Sequence, residues 1–384
     1  MELLSKEFIQ ELQAISQEPC LSLYMPTHRS HPENLQDPIR FKNLLKQLEE
    51  SLLKKYSASE AKKHLEPLEA LVNDDSLWNH TLNGLAVFSA NEVVKIVGFP
   101  VSVEEVAIVA DSFHTKPLRH YLQSTDRYHV LGLSLHDIRL FEGNRHSLDE
   151  IEIMAGIPRT ITDALGDDLT DKHSTVASYG GTGGESTSMH HGHGGKKDEV
   201  DKDAERFFRV VANNIYDIYS KPKGWPLILA ALPEHHSLFQ KVNKNPLLLD
   251  KSISINPTSV SADKLVNLAW EIMEPVYLMK LDSFVSRFEQ AKADGKGSDD
   301  IKEVALAAVE GRVDTLLIEA DRKIAVRITN LITGNTQKKD LTNPKVDDLL
   351  DDMAELVTKM GGQVMVLPTE KLPSETGLAA IFRY

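Results

Sequence analysis

The chain has 384 residues, 41% apolar and 26% charged, which is too long for one ordinary core and predicts a globular protein of two or three domains. The formal net charge of −14 argues against a broad basic face, and so against DNA, leaving room only for local RNA contacts or contacts shaped by a large partner. No run approaches the ~20 apolar residues of a membrane helix, the opening Met1-Glu2-Leu3-Leu4-Ser5-Lys6-Glu7 lacks the basic head and apolar core of a secretory signal, and the lone Cys20 forms no internal disulfide, so the expected compartment is the cytoplasm.

A first segment, 1–125, reads as an α/β domain. A short helix leads to the strand Cys20 to Met25, where Cys20 is expected as a small buried hydrophobe. The loop Pro26 to Pro32 carries Thr27, His28 and Arg29. Asp37 then reads as an N-cap with Pro38 at the first helical position. Phe41, Leu44, Leu45, Leu48, Leu52 and Tyr56 follow at helical spacing. Gly84 to Ser89 and Val93 to Gly98 read as strands, and Phe113 to Leu118 as an extended linker.

The second segment, 126–260, starts with Tyr128 to Leu135 and Ile138 to Phe141 flanking His136-Asp137, a hairpin pattern. A polar stretch from about 159 to 200 has almost no periodicity. Ala204, Phe207, Phe208, Val211, Ile215 and Ile218 then mark an amphipathic helix, and Pro226 to Leu232 is an apolar run typical of a strand buried on both faces. The order strand, helix, strand predicts an α/β layer domain. The third segment, 261–384, begins with a long helix that Pro275 is expected to bend. The helix Ile301 to Glu310 is stopped by Gly311. Val313 to Ile318, Ile324 to Ile328, Gln363 to Leu367 and Leu378 to Phe382 read as strands, and Asn343-Pro344 as the start of a helix with Val346, Leu349, Leu350, Met353, Leu356, Val357 and Met360 on one side. This predicts a second α/β sandwich.

The loop 178–197, Ser178 to Lys197, is rich in glycine and histidine and, with only Tyr179 and Met189 to offer, cannot bury apolar surface. Three readings stand side by side. It is a flexible insertion without a role; it binds metal through His173, His190, His191 and His193, although no carboxylate or cysteine stands at a diagnostic spacing; or it is a tip that reaches into another molecule's active centre, where glycine lets a backbone enter a narrow site.

His191-Gly192-His193-Gly194-Gly195-Lys196 resembles the His-Gly-x-Gly-Gly-Gln tip of the archaeo-eukaryotic class I release factors, and an Arg-Phe helix, Arg206-Phe207-Phe208-Arg209, follows as it does there. Leu21 to Arg29 with Gln36-Asp37-Pro38-Ile39-Arg40 resembles the bacterial branch, type 3 of the bacterial archaeo-eukaryotic release factor families. Ala307 to Ile318 and Gly377 to Tyr384 resemble the third domain of release factors and Pelota. The resemblance implies a three-domain protein of α/β (α+β) class, its middle domain RNase H-like and its last a small α/β sandwich. It implies a ribosome-associated factor whose tip enters the A site near the peptidyl-transferase centre, in rescue, recycling or hibernation, with or without hydrolysis of the peptidyl-tRNA ester. The expected partners are the ribosome, through rRNA and peptidyl-tRNA, and a translational GTPase or ATPase on the third domain, with no cofactor, no metal and no membrane.

On that reading Gly194, Gly195 and Lys196 are the catalytic tip, with backbone N–H groups aimed at developing charge. His191, His193, Lys197, Arg206, Arg209, Arg29 and Arg40 are the candidate RNA contacts. Lys196 stands where the family has glutamine, which keeps the N–H but brings a longer, charged side chain suited to phosphate. The literal Gly361-Gly362-Gln363 reads as a helix stop before a strand. The codon-reading motifs of the family's first domain are absent. A non-ribosomal metal- or protein-binding stress protein that retains the fold without catalysis is the competing expectation.

Overall fold

The computed structural model describes residues 2, 4–15, 17–91, 93–124, 126–169, 193–256, 259–328 and 341–384. The chain is of mixed α/β class, and its described residues form three sheets, each layered with helices. It forms two compact units: Met1–Thr125 together with Leu278–Tyr384, and Asp126–Tyr277.

In the first unit, the strands β1 (Cys20–Pro26), β2 (Gly84–Ala90), β3 (Val93–Phe99) and β4 (Val106–Ala110) form an antiparallel sheet in the order β3-β2-β1-β4. Alternation along β1 explains why apolar residues stand on both of its faces, Ser22 apart. Leu21, Leu23 and Met25 face the helices Asp37–Leu52 and Ala58–Glu69, while Cys20 and Tyr24 face the other side, among Phe8, Phe88, Phe99 and Leu118. Asp37 does not cap its helix. A 3-10 turn, Glu33–Gln36, already leads into it, so no extended capping residue precedes Asp37. Its buried carboxylate turns back instead and accepts from the backbone N–H of His28 at 2.7 Å and meets His28 Nδ1 at 2.9 Å.

In the second unit, β5 (Tyr128–Leu133), β6 (Ile138–Gly143), β7 (Leu148–Ile151), β8 (Leu227–Ala231) and β9 (Ile253–Ser254) run in the order β7-β6-β5-β8-β9. The first three form an antiparallel meander, and β8 and β9 add parallel to β5. The helix His193–Ile215 crosses from one edge to β8. Its Phe207, Phe208, Val211 and Ile215 pack on Leu131, Leu133, Leu229 and Ala231. Residues 128, 130, 228 and 230 point the other way, onto Leu265, Ala269 and Met273 of the helix Ala262–Ala293. A sheet covered on both faces demands continuous apolar strands, as the run at β8 has. The helix stays continuous through Pro275.

The first unit is completed by β10 (Gly297–Ser298), β11 (Val313–Glu319), β12 (Gln363–Leu367) and β13 (Leu378–Phe382), in the order β10-β13-β11-β12. The helices Ile301–Val309 and Leu349–Lys359 lie on its apolar face. Two expectations fail here. Residues 324–328 form no strand; only Ala325 bridges to Asp348, and the Asp348 carboxylate takes the Ile324 N–H at 3.0 Å. The helix starts at Leu349 rather than at Asn343, because Asn343 closes a turn onto Lys345 N–H and Asp348 is the residue that caps.

The expected linker 113–118 is also corrected. His114, Thr115 and Lys116 are buried, and the helix Lys116–Ser124 begins there. Lys116 Nζ pairs with Asp348 Oδ2 at 2.8 Å and also donates to the Arg322 carbonyl. The Thr115 N–H donates to Asp351 Oδ2 at 2.8 Å, and His114 Nδ1 stands 3.5 Å from the same oxygen. Arg119 donates to Thr358 Oγ1 at 3.1 Å. These polar side chains are buried because each finds its partner in the C-terminal half of the same unit. At the far end of the helix, the Gln123 side chain donates to the Val364 carbonyl at 2.6 Å and accepts from the Val366 N–H at 2.7 Å, along the outer edge of β12.

Candidate functional site

Most of the expected tip segment, 178–197, lies outside the described residues, and the described chain resumes at the helix His193–Ile215. His173, His190 and His191 lie outside the described residues. The backbone of His193, Gly194, Gly195, Lys196 and Lys197 forms the first turns of that helix. Among the described residues no group of three or more His, Cys, Asp or Glu is placed to hold a metal ion.

Past the tip, the helix shows how its sequence sorts two roles. Phe207 and Phe208 are fully buried, and Phe208 meets Phe239 at 6.2 Å and His235 at 5.3 Å between ring centroids. Arg206 and Arg209, three residues apart, therefore share the outer face and are exposed. Arg206 lies 3.6 Å from the buried Asp203 carboxylate, one turn earlier, which leaves most of its donors turned to solvent. A groove of about 630 Å³ runs beside Val210, edged by Arg159 and Asp163. The helix finishes in a π turn, Tyr216–Ser220, from which the Tyr219 hydroxyl reaches over to accept from the Met154 N–H at 2.8 Å.

Arg29 and Arg40 belong to the other unit. Arg29 is exposed. Arg40 is half-buried, pairs with Glu105 at 3.0 Å and donates to the Pro26 carbonyl at 3.3 Å, so it braces the loop after β1. Gly361-Gly362-Gln363 is a helix stop: Gly361 has a φ of +74°, and a Cβ on Gly362 would stand 2.6 Å from Val357 Cγ1 and 2.9 Å from the Val313 carbonyl oxygen. Cys20 is buried, and burial together with the nearby Asp347 charge pushes its thiol up to about 12, so it is no nucleophile.

A cluster with little signature in the sequence stands at the start of β5 and β8. Arg127 and Lys223 both bond to the Glu142 carboxylate, at 2.5 and 2.6 Å. Both also lie over the indole of the half-buried Trp225, at 5.5 and 4.4 Å from its centroid. Burial acts to raise the Glu142 carboxyl, but its bonds to Lys223 and Arg127 outweigh this and its pKa is lowered. Beneath the indole, at 5.2 Å, lies His129, fully buried and without a hydrogen-bond partner on either ring nitrogen. Burial first, then the Lys223 charge, lowers its pKa to about 4 and keeps it neutral. The only local sign of this cluster is the run Lys221-Pro222-Lys223-Gly224-Trp225.

Residues 127–312 match the family described as bacterial archaeo-eukaryotic release factor family 3, which makes this a release-factor-like translation factor. The match takes in the sequence of the expected tip and all five strands of the second unit's sheet. No curated protein matches the chain. Among solved structures, an archaeal translation termination factor, aRF1, is 17% identical over 98% of this chain and 96% of its own, with a TM-score of 0.26. Dom34 of S. cerevisiae, a termination-like factor of RNA quality control that interacts with Hbs1, is 14% identical over 78% and 80%, with a TM-score of 0.40. An archaeal Pelota, from a ribosome-bound assembly with ABCE1, is 12% identical over 100% and 95%, with a TM-score of 0.39. These superpositions are loose, and the family match alone carries the assignment.

Proposed function

We propose that this protein works on the ribosome as a factor of release-factor type, entering the A site with residues 191–197 near the peptidyl-transferase centre, in rescue, recycling or hibernation. The observation that carries this reading is the family match across 127–312, since the tip lies inside it. The strand order β7-β6-β5-β8-β9, with one helix layer on each face, supports a middle domain of RNase H-like type, and the exposed pair Arg206 and Arg209 supports RNA contact close behind the tip. Among the described residues no helix is long and apolar enough to cross a membrane, which accords with work in the cytoplasm. A translational GTPase or ATPase is the partner expected on the C-terminal sheet.

If the tip is catalytic, two glycines bring the backbone close to the ester, and the N–H of Lys196 stabilises the charge that develops there, while the ribosome positions water. A lysine ammonium in the glutamine's place suits a phosphate, so the proposal holds with or without hydrolysis. Purified protein is expected to sediment with ribosomes at modest salt. If it stays at the top of the gradient with empty, stalled and stationary-phase ribosomes alike, the reading is wrong. Release of labelled peptide from stalled complexes, abolished by Gly195→Ala, separates a hydrolase from a factor that only binds.

A further inference from the structure

The pairing of Arg127 and Lys223 around Trp225 has a cost that a purely structural role does not explain. Two cations converge on one carboxylate and one indole at the surface of a chain whose net charge is −14. Like charges held this close repel, and exposed ion pairs return little stability. Glu142 satisfies one donor on each cation, so Arg127 keeps further N–H groups and Lys223 keeps two, and the Arg127 and Lys223 side chains stay 56% and 37% exposed. The seat beneath them is rigid. Trp225 rests on the buried ring of His129, and β5 and β8 are hydrogen-bonded in register at this point, with His129 opposite Leu227. At the same end of the sheet, on the other face, Arg145 lies over Trp270 at 5.3 Å in the same manner.

We infer that Arg127 and Lys223, held apart by Glu142 and seated on Trp225, form a binding site for the phosphate backbone of RNA, separate from the tip and from Arg206 and Arg209. A guanidinium and an ammonium with spare donors, fixed before binding, suit phosphodiester oxygens and give up little entropy when they bind. Glu142 sets their spacing and lowers the affinity of the empty site for loose anions. This deepens the ribosomal reading and rests on it for the choice of RNA over an acidic protein segment.

The test uses the full chain and a short labelled RNA hairpin, with binding followed by fluorescence anisotropy across a salt series. Wild type is expected to bind with an affinity that falls as salt rises. Arg127→Gln/Lys223→Gln is expected to bind about tenfold more weakly and to flatten the slope of log K against log salt by about 0.7–0.9 for each phosphate no longer neutralised. Glu142→Gln, which removes the competing carboxylate, is expected to bind more tightly; a merely structural role for the cluster would not produce that gain. Wild type that ignores the hairpin, a double variant with the wild-type slope, or a labelled poly-glutamate peptide that binds while the hairpin does not, would each overturn the inference. Sedimentation of the same proteins with ribosomes reads the other proposal: wild type that pellets while the hairpin results fail leaves the ribosomal role standing without this site.

Discussion

Lys116→Met probes the buried pairing inside the first unit. Lys116 is 1% exposed and Asp348 is fully buried, with 2.8 Å between Nζ and Oδ2. Removing the ammonium strands a carboxylate without a counter-charge, which costs about 3–5 kcal/mol in buried pairs. Asp348 keeps the N–H groups of Ile324 and Leu350, at 3.0 and 3.3 Å, so the lower end of that range is expected. Lys116→Met/Asp348→Asn removes the stranded charge while its amide oxygen still accepts those two bonds, and it should recover all but about 1 kcal/mol. For a unit of this size 1 kcal/mol corresponds to roughly 2–4 °C, so the single variant should melt about 10 °C lower. Urea unfolding followed by Trp78 in a Trp225→Phe/Trp270→Phe background reads this unit, since the other two tryptophans lie in the second. A single variant within 1 kcal/mol of wild type, or a double variant no better than the single, would refute the assignment of a charge-dependent joint.

The other predictions concern titration and glycine. His129 has its folded pKa lowered to about 4 from 6.5, so the unfolded chain binds more protons between those values; stability of the second unit is full above pH 6.5 and is lost as pH falls toward 4. Melting points at pH 7 and pH 5 should differ less in His129→Phe than in wild type, and equal differences would count against the burial of a neutral ring. Asp347 behaves oppositely: burial first and then the Asp351 charge raise its carboxyl to about 7, so stability falls as pH rises from about 4 through 7. Asp347→Asn, whose amide oxygen can keep the 2.8 Å bond from the Asp348 N–H, is therefore expected to melt higher than wild type at pH 8; a lower melting point would contradict this. Gln363→Ala should leave ribosome pelleting unchanged, whereas Gly362→Ala should destabilise the fold through its clash with Val357. Loss of ribosome binding in a well-folded Gln363→Ala would mean that the helix stop is a functional tip.

Strands buried on both faces were the most legible part of the sequence. β8 and β13 are continuous apolar runs, and β1 and β12 are apolar apart from Ser22 and Gln363. β7, Leu148–Ile151, escaped notice because only Leu148 of its four residues is buried, and β4 is a short run with no clear turn signal. The segment 113–118 misled because its polar residues look like surface. Their burial is created by Asp348 and Asp351, more than 230 residues away, and no local pattern contains that partner. Separation in the chain also hid the cluster at Trp225, where Lys223 meets Glu142 across 81 residues. The Arg-Phe helix was legible in both roles, its buried aromatics and its exposed arginines, because helical spacing alone sorts them.

The side chain of Gln123 occupies the backbone groups of Val364 and Val366 on a strand that borders its sheet. An unfilled border of this kind invites a second copy to zip on. Residues 1–125 are made first, so the amide is in place before β12 emerges. A fragment starting after that helix would carry an open, apolar border, Val364 to Leu367, and would recruit further copies of itself into growing sheets.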